Sequence, residues 1–70
     1  MGTPTRIKLG KKVRQFRLKK GYTQAQLAEA TGIDYKYIQK IEGKTPPAIR
    51  IDTIEKLAKA LKVSCSKLLS

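Results

Sequence analysis

The sequence predicts a small, compact, all-α domain. Three observations lead there. No stretch alternates apolar and polar residues between hairpin turn signals. Apolar residues recur instead at spacings of three and four, and glycines divide the chain into short segments that begin at capping residues. Five helices are expected, with a flexible leader over residues 1–5 and one domain over residues 6–70.

Gly2 and Pro4 loosen the leader, after which Leu9, Val13, Phe16 and Leu18 keep a helical apolar spacing until Gly21 ends the first helix. Thr23, followed three residues later by Gln26, makes a capping box for a helix over Gln24 to Ala30, and Gly32 supplies the left-handed turn at its end. Asp34 caps the third segment, Tyr35 to Ile41, in which Ile38 and Ile41 face a core while Lys36 and Lys40 share another face. Gly43 is read as its close. A loop through Pro46 and Pro47 follows, anchored by Ile49 and Ile51. Asp52 and Glu55 predict a further capping box ahead of the stripe Ile54, Leu57, Ala58 and Leu61, and Ser64 caps a last short helix holding Leu68 and Leu69.

The charge is lopsided. Sixteen Lys and Arg stand against five Asp and Glu, a net charge of +11, which points to a polyanionic partner, nucleic acid first and an anionic membrane second. Eight basic residues between Arg6 and Lys20 surround the apolar stripe of the first helix. No apolar run approaches the roughly 18 residues of a membrane span, and the segment after Met1 lacks a signal-peptide core, so a cytoplasmic protein without membrane contact is expected. With one cysteine, Cys65, and no histidine, one chain can assemble neither a disulfide nor a zinc site. Cys65 is read as a small residue in a first helical turn. Without a Cys-base pair, clustered carboxylates or a phosphate-cradling glycine loop, no enzyme, cofactor or metal is expected.

Between Gln24 and Gly43 two short helices are joined at Gly32 by a turn too brief to separate them, and such a pair must cross steeply. Ala28 is small enough for that close crossing, and Leu27, Ile33, Ile38 and Ile41 turn inward. The stretches LGKKVRQFRLKKGYTQAQLAEATGI, YIQKIEGK and IDTIEKLAKALKVSCSKLL resemble the lambda-type repressors and Cro proteins, the xenobiotic response element family of helix-turn-helix regulators. The resemblance covers nearly the whole chain. It implies a lambda repressor-like fold and sequence-specific double-stranded DNA binding by a bacterial or phage transcriptional regulator of the repressor type, dimeric on DNA and associated with the nucleoid.

By that resemblance the third helix enters the major groove, where Tyr35, Lys36 and Lys40 hold the base-contacting positions; lysine donates to guanine, and tyrosine presses on a thymine methyl or donates from its hydroxyl. Gln24 takes the position where a side-chain amide and a positive helix end hold a phosphate together. Thr23 and Lys44 join it as phosphate contacts. For Tyr37 a backbone contact and a place covering the core stay equally open. Arg17 and Glu42 match a structural ion pair of the family. Leu68, Leu69 and the loop around Ile49 are candidate dimer contacts, with completion of the core an equal alternative. The segment EGKTPPAIRI departs from the family in loop length, and Tyr and Lys replace the smaller polar residues common on the third helix. The rival readings are an antitoxin-like protein-interaction module and a non-specific nucleic-acid binder.

Overall fold

The computed structural model describes residues 4–69. Along them run α1 (Pro4–Lys20), α2 (Gln24–Thr31), α3 (Tyr35–Ile41), α4 (Ile51–Leu61) and α5 (Cys65–Leu69), with no strand among the described residues. Helix α1 begins at Pro4, two residues before the expected domain start at Arg6. Proline suits a first helical position because its fixed φ is already helical and its missing N–H would have no intrahelical partner there. Residues 1–3 of the expected leader lie outside the described residues.

Leu9, Val13, Leu27, Ala28, Ile38, Ile41, Ile54, Leu57, Ala58, Leu61 and Leu68 form a single buried cluster fed by all five helices. Each fully buried Leu or Ile contributes roughly 1.5–3 kcal/mol of transfer free energy. In α1 the expected stripe shifts: Leu18 is 57% exposed and the charged Arg17 is buried in its place. Arg17 lies four residues after Val13, which itself follows Leu9 by four, so all three fall on one face, whereas Leu18 is rotated by about 100° from Arg17. Gly10 shares the buried face. A Cβ there would overlap the Ile41 carbonyl oxygen, so α1 crosses the end of α3 at backbone contact.

The helix ends show how local chemistry sets the path. Gly21 (φ 77°) closes α1 with the Tyr22 N–H bonded to the Arg17 carbonyl and the Gly21 N–H to the Leu18 carbonyl, a Schellman pair. At the start of α2, Thr23 Oγ1 accepts from the Gln26 N–H while Gln26 Oε1 accepts from the Thr23 N–H, the expected capping box. Gly32 (φ 74°) ends α2, and Asp34 caps α3 by accepting from the Lys36 N–H. Helix α3 is capped at Glu42, in right-handed conformation, so Gly43 is not needed for a left-handed close. The expected Asp52–Glu55 box does not form: Arg50 holds the cap position of α4 without a side-chain bond, which puts Asp52 inside the first turn, where its carboxylate favours the positive helix end instead. Ile51, expected to anchor the loop, is 65% exposed; Ile49 packs on the core. Ser64 Oγ accepts from the Lys67 N–H at the start of α5.

Helix α4 ends in a second Schellman pair, built on Lys62 at φ 57°. A side chain in this left-handed region is strained where glycine is not. Replacing Lys62 by Gly is expected to raise the denaturant midpoint, with a gain of up to about 1 kcal/mol; a loss of stability would show that the lysine side chain holds the turn. The Gly10→Ala substitution is expected to cost roughly 1–3 kcal/mol by forcing α1 off α3, and an unchanged midpoint would contradict the close crossing.

Candidate nucleic-acid interface

Helix α3 has two unlike sides. Ile38 and Ile41 are wholly buried and Tyr37 half-buried, while Tyr35, Lys36, Gln39 and Lys40 are exposed. At 100° per residue the four exposed positions occupy one continuous arc of about 140°. The arc carries two lysines and no acid. At seven residues the helix is about 10 Å long, close to the roughly 12 Å width of a DNA major groove.

Tyr35, Lys36 and Lys40, the positions read from the sequence as base-contacting, are thus brought onto one surface. Gln39, not singled out from the sequence, lies among them, and its Nε2 donates to Tyr35 Oη at 3.2 Å. That bond leaves the second amide N–H, the amide carbonyl and the Tyr35 hydroxyl proton available to a ligand. The signal for Gln39 is its spacing, four residues after Tyr35 and three after Lys36. Tyr37 belongs elsewhere: its hydroxyl donates to the Ala48 carbonyl at 3.4 Å, tying α3 to the loop before α4.

The start of α2 is held by a network around Arg17. Arg17 Nε lies 2.8 Å from Glu42 Oε2 and its Nη2 lies 3.0 Å from Oε1, a bidentate pair. Its third donor, Nη1, bonds the Tyr22 carbonyl at 2.8 Å. Gln24 Nε2 then donates to Glu42 Oε1 at 3.2 Å. Both charged side chains are nearly excluded from solvent, at 9% and 3% relative exposure. Hydrogen bonding to Glu42 raises the Arg17 pKa above its usual value and outweighs the opposing effect of burial, so Arg17 stays charged wherever the domain folds. The network joins the end of α1, the turn into α2, the first residue of α2 and the cap of α3.

Gln24 is therefore half-buried and oriented, with one amide N–H on Glu42 and one left over. The capping box uses the Thr23 and Gln26 N–H groups, so the Gln24 and Ala25 backbone N–H groups remain at the positive end of α2, where an anion is favoured. Thr23 Oγ1 is committed to the cap. Lys44, two residues past Glu42, is exposed beside Lys11 and Arg14 of α1. Of the candidate dimer contacts, Leu68 is wholly buried and so completes the core, Leu69 is 42% exposed, and Ile49 packs against the core. Among the described residues, no three His, Cys, Asp or Glu group to hold a metal, and no helix is long and apolar enough to cross a membrane.

The family model described as Helix-turn-helix matches residues 13–68. The chain is 34% identical over 62 residues to the HTH-type transcriptional regulator SinR of Bacillus licheniformis, covering 89% of this chain and 56% of that protein; it thus spans little more than half the length of this curated relative. Its fold matches the crystal structure of a hypothetical transcription factor from Neisseria with a TM-score of 0.88 at 38% identity, over 93% of this chain and 72% of that one. It matches the biofilm master regulator SinR, solved in complex with DNA, with a TM-score of 0.85 at 34% identity, over 89% of this chain and 98% of that one.

The network makes a specific demand on stability. Arg17→Met leaves Glu42 buried without its counter-charge and is expected to cost about 3 kcal/mol or more, whereas the double variant Arg17→Met, Glu42→Met recovers much of the loss. Thermal unfolding of the three proteins checks this, and a double variant as unstable as the sum of the single ones would show that no coupling exists.

Proposed function

The chain belongs to the helix-turn-helix family, and from that premise we propose that it binds double-stranded DNA sequence-specifically as a transcriptional regulator, with α3 in the major groove and the positive end of α2 against the phosphate backbone. The observation that carries this reading is the acid-free exposed arc of Tyr35, Lys36, Gln39 and Lys40, set opposite a fully buried face on a helix of groove-filling length. The relatives' description as transcription regulators and the DNA-bound state of the SinR structure support it.

In this arrangement Lys36 and Lys40 donate to guanine O6 and N7. The Tyr35–Gln39 pair presents an aromatic edge for a thymine methyl and an amide whose geometry suits adenine N6 and N7. Gln24, with the free N–H groups of the first α2 turn, and Lys44 bind phosphates and fix the register without reading sequence. Two copies are required for a palindromic site: the domain measures 28 × 24 × 21 Å, less than the roughly 34 Å between half-sites on one face of the duplex. Repression follows most simply, because a bound dimer occludes the DNA it covers. We read its place of action as the cytoplasm, at the nucleoid, and its role as binding without catalysis.

Selection of duplexes from a random pool tests the reading. The expected winner is an inverted repeat bound at least about 10³-fold more tightly than a scrambled control. Lys36→Ala or Lys40→Ala is expected to weaken discrimination at particular base pairs by roughly 1–3 kcal/mol, while Gln24→Ala weakens binding to all duplexes alike. No enriched motif, with affinity that merely collapses as salt rises, would reduce the protein to a charge-driven binder.

A further inference from the structure

A groove lies where the ends of α1 and α4 meet α5. Phe16, Lys19 and Lys20 of α1, Lys62 and Val63 after α4, and Lys67 of α5 line it, so none of the residues placed against DNA above takes part. Phe16 and Val63 are half-buried and pack on the core, which leaves part of each as an apolar floor. Lys19 and Lys20 follow Phe16 by three and four residues, so the three share one face at the end of α1. Lysine stems lie along apolar surface while their ammonium groups reach water. The groove therefore has an apolar floor and a cationic rim.

Lys19, Lys20 and Lys62 are exposed and pair with no acid among the described residues. Of the chain's five acids, none lines the groove. Lysines in a last helical turn complement the helix dipole, which is reason enough for Lys19 and Lys20. It does not account for Lys62. That residue follows α4 at φ 57°, the only non-glycine with a positive φ among the described residues, where glycine is unstrained and a side chain is not. Strain of this kind gathers where a side chain is needed for binding. Here it sets a cation on the edge of the groove.

We infer that this groove seats an acidic helical segment of a partner protein, with one apolar residue resting on Phe16 and Val63 while neighbouring carboxylates meet Lys19, Lys20 and Lys62. Charge complementarity selects this occupant. A second copy of the chain, itself at +11, is repelled. A nucleic-acid strand would use the lysines but waste the floor, because the groove's one aromatic ring, Phe16, packs on the core instead of standing clear for a base to stack on. At about 310 Å³ and open to one side, the groove is also too shallow to enclose most of a small molecule, as small-molecule sites do. The seat leaves α2 and α3 uncovered, so partner and duplex are held at once, and it stands independently of the duplex-binding reading.

The test titrates the full chain with a fluorescent helical peptide that carries one leucine among glutamates, beside two control peptides, one with glutamine for the glutamates and one with serine for the leucine. The wild type is expected to bind the acidic peptide saturably, more weakly as salt rises, and each control at least about tenfold more weakly. Amide shifts in NMR spectra gather at Phe16, Lys19, Lys20, Lys62 and Val63. Lys19→Gln, Lys20→Gln and Lys62→Gln combined weaken binding about tenfold, whereas Lys8→Gln, Lys56→Gln and Lys59→Gln combined, a control of equal charge, leave it within about twofold. Lys62→Gly separates binding from folding: its denaturant midpoint rises while its affinity for the peptide falls about threefold, a combination that a merely structural lysine does not give. No saturable binding by the wild type, an equal loss in the triple variant and its control, or shifts centred on α3 overturn the inference. So does a triple variant that loses affinity for duplex instead of peptide, which makes the groove a nucleic-acid contact.

Discussion

Arg17 and Glu42 set the geometry on which the placement of α2 and α3 depends. A bidentate ion pair nearly excluded from solvent gains little net stability, because desolvating both charges offsets most of their attraction. What it does supply is direction. The planar guanidinium admits one arrangement in which Nε and Nη2 meet the carboxylate and Nη1 meets the Tyr22 carbonyl, and that arrangement fixes the roll of α1 against the cap of α3. Tyr22 is held twice, since its N–H also bonds the Arg17 carbonyl. The turn that launches α2 is thereby pinned to the residue that pairs with the end of α3. The two helices of the helix-turn-helix are thus oriented through a residue on a third.

Gly10 completes this joint. It precedes Arg17 by seven residues, two turns along the same face, and lets α1 lie directly on the Ile41 carbonyl. One attachment is a close backbone crossing and the other a long charged side chain, so translation and rotation of α1 are restrained by different means. Val13, between them in sequence, is wholly buried in the core. The core alone would tolerate many slightly different packings of apolar side chains. The glycine contact and the ion pair select one of them.

Much of the fold is legible in the sequence because its signals are local. Thr23 with Gln26, Asp34, Gly21 and Gly32 each act within a few residues of their own position, and the structure places each at the helix end it foretells. The departures share a different cause. Periodicity turns Leu18 inward and leaves Arg17 among the cations around the stripe, and only the family resemblance pairs Arg17 with Glu42; burying an arginine depends on a carboxylate 25 residues away, which spacing within α1 cannot reveal. Asp52 has the right spacing to Glu55 for a cap, but the helix starts at Ile51 with Arg50 at the cap position, so Asp52 already lies inside the first turn. Lys62 in a left-handed turn carries no glycine signal at all. The shared exposed face of Tyr35, Lys36 and Lys40 follows from their place on α3, whereas the Gln39–Tyr35 bond and the Tyr37 bond to Ala48 need coordinates, since each depends on side-chain reach rather than on position in the helix.

The division of α3 into a buried and an exposed face separates two kinds of constraint. Ile38 and Ile41 answer to packing, and shortening either opens a cavity that disturbs the whole domain. Lys36 and Lys40 are free of that constraint, because they are exposed, so their replacement comes at little cost to stability. Tyr35 and Gln39 fall between these cases. Their mutual hydrogen bond orients both in advance, which lowers the entropy cost of meeting a base. It also couples them: a substitution at either frees the other to adopt new rotamers, so their effects on sequence preference do not add. On the proposed reading, this helix therefore offers two independent contacts, the lysines, and one composite contact made jointly by a tyrosine and a glutamine.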